Sequence, residues 1–273
     1  MILADCHLHS SFSGDSETPM EESILSGIEK GFKTMCFTEH MDYDYPDSPE
    51  GSGSIFIVNT DSYLYDLLRL KDKYADKIRI LFGIELGLQA TQEVFRKNAV
   101  YARSYDFDFI IGSSHVCNGK DPYYPAFYEG RSEEEAYREY FTSIYDNIKK
   151  FDNFDVYGHL DYVVRYGPNR DTNYSYEKYK DILDKILELL IDKGKGIEIN
   201  TGGYDKGLKD FHPCRAILKR YRELGGEIIT CGSDSHDSVH VGNHFDMAAE
   251  VLKECGFSYY TVFEKRVAEF VKL

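Results

Sequence analysis

An α/β fold of parallel strands is predicted, on three observations. Seven short runs rich in apolar and β-branched residues alternate with longer segments of helical spacing, as expected of right-handed β-α units sharing one sheet. Each of the seven runs ends in a residue able to bind metal. No stretch rich in Pro, Gly or Ser is long enough to divide the 273 residues, so residues 1–273 are predicted to form a single domain. In a β/α barrel every carboxyl strand end opens into one mouth, where such folds keep their chemistry. Random placement would scatter ligand-type residues over loops and helix faces instead.

The opening Met1-Ile2-Leu3-Ala4 runs into Asp5-Cys6-His7-Leu8-His9-Ser10. Side chains two apart on a strand face the same side, so His7 and His9 project together where the strand ends, a pincer for a divalent ion. Taken alone, His-x-His is also an ordinary polar strand end; recurrence of such residues at other strand ends gives it weight. Cys6 alternates with the pair and points away. A helix is predicted from Glu21 to Lys30, with Pro19 near its start and Gly31 past its end. Thr34 to Thr38 is the second strand, ending at Glu39-His40. The segment Asp42 to Thr60, rich in Asp, Ser, Gly, Pro and Tyr, is a long loop of the kind that forms lids and binding edges.

Helical spacing resumes from Asp61 to about Tyr74, followed by the strand Ile78 to Phe82 and Gly83-Ile84-Glu85. A helix near Gln92 to Arg103 leads to the strand Phe107 to Ile111 and Gly112-Ser113-Ser114-His115. After a Tyr-rich loop, Asn118 to Arg131, Ser132 opens a helix to about Lys150 with Glu135 as its capping-box partner. The fifth strand, Phe154 to Tyr157, ends in Gly158-His159-Leu160-Asp161. A helix near Tyr176 to Asp192 precedes the strand Gly196 to Asn200, which ends in Glu198-Ile199-Asn200. A helix beginning near Pro213 precedes the strand Glu227 to Cys231, which ends in Gly232-Ser233-Asp234-Ser235-His236. The tail holds a helix near Asn243 to Cys255, and Tyr259 to Leu273 fits either a helix or a hairpin.

Composition narrows the function. With 42% hydrophobic and 29% charged residues, 22 Gly and 7 Pro, the chain is that of an ordinary folded protein. No basic patch followed by an apolar stretch and no run of about eighteen apolar residues occurs, so the chain reads as cytoplasmic, with no membrane partner. The six cysteines are scattered without C-x-x-C pairs and read as reduced and structural. A formal net charge of −15 repels a nucleic-acid backbone. A small phosphorylated molecule that also carries positive charge meets no such penalty.

The motifs Asp5-Cys6-His7-Leu8-His9, Thr38-Glu39-His40, Gly83-Ile84-Glu85, Ser114-His115, Gly158-His159-Leu160-Asp161, Glu198-Ile199-Asn200 and Ser233-Asp234-Ser235-His236 follow one another in the order of the PHP (polymerase and histidinol phosphatase) family of metallophosphoesterases, which the chain resembles over essentially its whole length. Within the family it is similar to the monofunctional histidinol-phosphate phosphatases, with no appended polymerase domain. The resemblance implies a distorted (β/α)7 TIM-like barrel, the PHP domain, holding three divalent metal ions. By position, the first ion takes His7, His9, Glu85 and Asp234. The second shares Glu85 and adds His115 and His159, and the third takes Asp15, His40 and His236. Some branches of the family carry a histidine in place of Asp15, and the loop Ser10 to Asp15 offers no other strong ligand. Implied too is hydrolysis of L-histidinol phosphate to L-histidinol and phosphate in histidine biosynthesis, by attack of a metal-bound hydroxide.

The residue types agree independently of the family. His, Asp and Glu without thiolates suit zinc, iron or manganese, and ions packed together need a shared carboxylate, for which Glu85 is the candidate. Such ions make hydroxide available near neutral pH and neutralise phosphoryl oxygens. A phosphatase also needs a phosphate clamp, and Arg165 is the best placed candidate, with a surface cation as the alternative reading. Asp161 is a candidate to orient a metal-bound histidine or, second, to protonate the leaving alkoxide. Glu39, Glu198 and Asn200 read as outer partners or substrate contacts, and Asp5 as a support behind the first motif. His212, His240 and His244 sit at no strand end and read as non-ligands. Tyr43, Tyr45, Tyr123, Tyr124 and Tyr128 read mainly as packing, with a few free to stack on a substrate ring. Asp42, Asp44 and Asp47 in the long loop are the predicted carboxylates for a substrate amine. Competing readings are a phosphotyrosine phosphatase, a nucleotide phosphoesterase, or a metal-binding module without turnover.

Overall fold

In the computed structural model, which describes residues 1–47 and 51–273, strands and helices alternate as β1 (Ala4–Leu8), α1 (Met20–Glu29), β2 (Thr34–Phe37), β3 (His40–Met41), α2 (Thr60–Lys73), β4 (Arg79–Gly87), α3 (Gln92–Tyr101), β5 (Phe109–Ser113), α4 (Glu133–Lys150), β6 (Val156–Tyr157), α5 (Tyr176–Asp192), β7 (Gly196–Asn200), α6 (Gly202–Asp205), α7 (Arg215–Glu223), β8 (Ile229–Gly232), α8 (Phe245–Glu254), β9 (Tyr259–Glu264) and β10 (Val267–Lys272). Residues 48–50 of the loop predicted over 42–60 lie outside the described residues. The sheet runs β1-β2-β4-β5-β6-β7-β8 with every neighbouring pair parallel. Its two ends meet: the Asp234 amide donates to the His7 carbonyl and the His9 amide to the Ser235 carbonyl, both at 2.9 Å. The sheet therefore curls into a barrel closed at its carboxyl end, and all seven predicted strands are in it.

Two departures from the predicted elements shape the site. β4 runs on to Gly87, so Glu85 is a strand residue. β3 is an added short strand that pairs His40 with Glu85 and Met41 with Leu86. The pairing brings the second ligand motif beside the third.

Helices cover the outside with apolar stripes. On α5 the buried Tyr179, Ile182, Leu183, Ile186, Leu187 and Leu190 recur at three- and four-residue spacing, and each contributes about 1.5–3 kcal/mol by burial. The capping box of α4 is formed as predicted: the Ser132 side chain accepts from the Glu135 amide at 3.2 Å, and Glu135 accepts from the Ser132 amide at 2.8 Å. Ser132→Ala should lower the unfolding free energy by about 1 kcal/mol in urea denaturation, since one orphan amide of the first turn loses its partner.

The tail is a hairpin of β9 and β10, paired antiparallel. Its turn places Lys265 and Arg266 at φ of 51° and 63°, left-handed values that Asn-Gly would adopt more easily. Contacts beneath the barrel hold this turn. The Lys265 amide donates to Asp108 Oδ1 at 3.0 Å, the Arg266 amide to the Asp108 carbonyl at 2.9 Å, and Arg266 Nε to Asp155 at 2.5 Å. No helix among the described residues is long and apolar enough to cross a membrane.

Candidate metal centre and active site

The carboxyl ends of β1, β4, β5 and β8, with the first residue of β3 and the loop after β6, bring six imidazoles to one mouth around Glu85. Glu85 is fully buried and lies 3.3 Å from His7 Nε2, 3.4 Å from His9 Nε2, 3.1 Å from His40 Nδ1, 3.2 Å from His115 Nε2 and 2.8 Å from His159 Nε2. Asp234 Oδ1 is 3.6 Å from the Nε2 atoms of both His7 and His9. Asp15 Oδ2 stands 3.5 Å from His40 Nε2 and 3.1 Å from His236 Nε2. All nine predicted ligand residues are thus brought together in one cluster; Glu85, His115 and His159 form a compact group as in the predicted second set, whereas His9 also groups with His40 and His236, and Asp234 with His7 and His159. The His9 ring stacks against both His40 and His236, with centroids 4.2 Å from each, while those two rings are themselves 5.8 Å apart.

The donor set fits divalent ions. Two nitrogens bound to one tetrahedral zinc lie about 3.3 Å apart, and here His7 Nε2 and His9 Nε2 are separated by 3.1 Å, His115 Nε2 and His159 Nε2 by 3.3 Å. Among the described residues, His40 Nδ1 and Glu85 Oε2, 3.1 Å apart, and His236 Nε2, 3.1 Å from Asp15, are buried in close contact without a hydrogen bond of good geometry, a costly arrangement unless a cation stands among them. The outer nitrogens of three rings are anchored. His7 Nδ1 faces Glu198 at 2.7 Å, His9 Nδ1 faces Ser13 Oγ at 3.0 Å, and His115 Nδ1 faces Asp42 at 2.8 Å. Ser13 Oγ donates its own hydrogen to Glu39 at 2.6 Å, so it accepts from His9. Each of these bonds puts the proton on Nδ1 and turns the Nε2 lone pair inward, the orientation a metal ligand needs.

Electrostatics follow from crowding. Burial alone would raise the Glu85 carboxyl, yet the positive charge that His7 and His115 bring when protonated holds it well below the usual range. Burial and the neighbouring His236 and His40 push His9 down to about 3, so its ring is neutral. Burial lifts Glu39 to about 7 against the hydroxyls and amide of Ser10 and Ser13.

Backbone geometry delivers the last ligands. Asp234 has a φ of 56°, a left-handed conformation that Asp tolerates and that follows directly on β8. A Cβ on Gly232 would meet His7 Cβ at 2.3 Å and Glu198 Oε1 at 2.4 Å, so only glycine lets β8 pass so close behind the first ligand. Asp5 supports the first motif from behind, accepting from the Ser233 amide at 3.0 Å and the Gly242 amide at 2.9 Å. Cys6 points into the core, and all six cysteines are unpaired thiols.

A cavity of about 480 Å³ opens over the cluster, with Tyr45, Phe56, Tyr123, Tyr124, Tyr162 and Tyr166 forming much of its wall. Arg165 lines it while only 7% exposed, which removes the surface-cation reading. Its guanidinium lies 3.5 Å from Asp234 Oδ2 and over the ring of Tyr162 at 5.3 Å.

Three expectations need correction. Asp42 is not a rim carboxylate: it is 3% exposed and accepts from His115. Asp44 pairs with Lys97, Asp47 accepts from Ser52 and the Gly53 amide, and neither lines the cavity; the carboxylates beyond the cluster that do line it are Asp205 and Asp237, with Asp121 buried beneath Tyr45 and the Tyr123 amide, from which it accepts. Asp161 orients none of the clustered histidines. Its Oδ1 lies 2.5 Å from His212 Nδ1, and its Oδ2 accepts from the Cys214 amide at 3.0 Å. Asp42 was detectable, since His40-x-Asp42 repeats the two-residue spacing of His7-x-His9. His212 carried no local signal.

Comparison with known proteins agrees with this geometry. Residues 5–202 match the PHP domain family. The chain is 35% identical over 267 residues to the "Histidinol-phosphatase" of Lactococcus lactis, covering 96% of this chain and 95% of that protein. It is 32% identical over 271 residues to the "Probable histidinol-phosphatase" of Clostridium acetobutylicum, covering 98% and 100%. A crystal structure of histidinol phosphate phosphatase from Lactococcus lactis, complexed with zinc, L-histidinol and phosphate, superposes with a TM-score of 0.85 and 32% identity, covering 97% of this chain and 98% of that one.

Proposed function

The chain belongs to the PHP domain family, and from that premise we propose that it is a metal-dependent phosphomonoesterase that hydrolyses L-histidinol phosphate to L-histidinol and phosphate in histidine biosynthesis. The observation that carries this reading is the convergence of six imidazoles, Glu85, Asp234 and Asp15 beside Arg165 in one cavity. His7, His9, Glu85 and Asp234 would hold one ion, Glu85, His115 and His159 a second, and Asp15, His40 and His236 a third. Bound there, divalent zinc, iron or manganese supplies an acidified water and neutralises phosphoryl oxygens.

The chain's own groups do the positioning. Glu198, Asp42 and Ser13 fix the rings of His7, His115 and His9 through their outer nitrogens. Arg165 is the candidate clamp: a buried guanidinium beside Asp234 meets the phosphoryl group as its charge redistributes. The tyrosine wall suits an imidazole ring, and the carboxylates of Asp205 and Asp237 suit an amine. Binding energy from that remote amine would help hold the phosphate in line for attack and so appear in kcat/KM.

The test compares histidinol phosphate, phosphotyrosine and p-nitrophenyl phosphate under identical metal conditions. Histidinol phosphate should lead in kcat/KM by about tenfold or more, a margin equivalent to one well-placed charged contact. Phosphotyrosine performing equally well would overturn the substrate while leaving the phosphoesterase reading standing. No hydrolysis of any phosphomonoester by metal-loaded protein would point to a binding module.

A further inference from the structure

One buried chain of polar groups beside the cavity is not used by the metal ligands. Asp161, at the start of the turn that carries Tyr162–Arg165, reaches His212 Nδ1 at 2.5 Å, and Arg165 Nε donates to His212 Nε2 at 3.4 Å. His212 is 1% exposed and its backbone is locked to the end of β7: the Asn200 amide donates to the His212 carbonyl at 2.7 Å and the His212 amide to the Asn200 carbonyl at 3.0 Å. The second oxygen of Asp161 is held by the Cys214 amide at 3.0 Å. Neither Asp161 nor His212 can swing without breaking these bonds.

We propose that Asp161 and His212 form a positioning pair that aims Arg165 at the phosphoryl group, an inference that rests on reading Arg165 as the phosphate clamp. A guanidinium has only donors, so His212 must offer it a lone pair on Nε2, which places the ring proton on Nδ1 and the donation toward Asp161. The ring is therefore neutral and sits between an anion and a cation. Burial acts in the same sense, holding the imidazole below its ordinary pKa. With Nε 3.4 Å from His212 Nε2 and Nη2 3.5 Å from Asp234 Oδ2, the guanidinium plane is set before any substrate arrives by a loop residue bonded to the end of β7 and by a carboxylate just past β8. Such preorganisation matters because a misplacement of about 1 Å at a reacting centre costs about a hundredfold in rate.

A double-mutant cycle separates this role from simple packing. His212→Phe keeps the ring and removes both nitrogens. It should lower kcat/KM for histidinol phosphate by about 10- to 100-fold and weaken competitive inhibition by inorganic phosphate, with metal content unchanged. His212→Gln, whose amide oxygen can stand where Nε2 stood, should recover most of the loss. In an Arg165→Ala background, His212→Phe should cost less than about twofold more, because its partner is already gone. Asp161→Asn, which lets an amide N–H face Nδ1 and so reverses the tautomer, should behave like His212→Phe and serves if that variant does not fold. Equal losses in both backgrounds, or full activity in His212→Phe, would overturn the positioning role. An Arg165→Ala enzyme with normal activity would instead overturn the clamp on which the pair acts.

Discussion

Glu85→Gln is expected to strip metal from the protein more completely than substitution of any single histidine. The carboxylate is fully buried, within 3.4 Å of five imidazoles, and accepts from Ser113 Oγ at 2.6 Å. Replacing it preserves shape and removes the one negative charge that lies between two proposed ion positions. Repulsion between adjacent divalent ions then goes unbalanced, and an amide N–H is thrust toward rings that present lone pairs. A histidine substitution removes one neutral donor from one ion. Changes to groups that merely orient metal ligands already cost about 10–100-fold in affinity or activity, so loss of a shared ligand should exceed that range. Elemental analysis of the purified variant, with kcat/KM measured alongside, is the check. A Glu85→Gln protein with full metal content and normal turnover would rule out the bridging role.

Arg165→Ala should lower kcat/KM by about 10²–10³-fold, equivalent to about 2.7–4 kcal/mol, the range seen when one preorganised charged or hydrogen-bonding group is removed from a reacting centre. Its burial, the Asp234 carboxylate 3.5 Å away and the aromatic faces of Tyr162 and Tyr166 hold the guanidinium in one place. A group so constrained loses little entropy when it meets substrate. Arg165→Lys should restore activity only in part, because an ammonium offers neither the planar fork nor the geometry to reach His212 Nε2. Steady-state kinetics with histidinol phosphate decide the matter, and unchanged kcat/KM in the alanine variant would place the clamp elsewhere.

Much of this site was legible because it is built from strand ends. A parallel β-α unit repeats along the chain, its apolar runs mark the strands, and the barrel carries every carboxyl end to one mouth. Residues as distant as His7 and His236 could therefore be grouped from their places in the repeat alone. The capping box at Ser132 and Glu135 was legible for a similar reason, since both partners lie within one helical turn.

The remainder depended on contacts between residues far apart in the chain and outside the strand-end pattern. Asp42 meets His115 across 73 positions, His212 meets Asp161 across 51 and Arg165 across 47, and the Lys265-Arg266 turn rests on Asp108 from 157 positions away. In the hairpin, local preference for the two turn residues points the wrong way and tertiary hydrogen bonds override it. The sequence by itself determined the order of the β-α units and the ligand-bearing strand ends, since period and position along a repeat are local properties. Only the tertiary structure decided which carboxylate orients which ring, because a hydrogen bond of 2.5–3 Å is set by how loops pack after the barrel has closed.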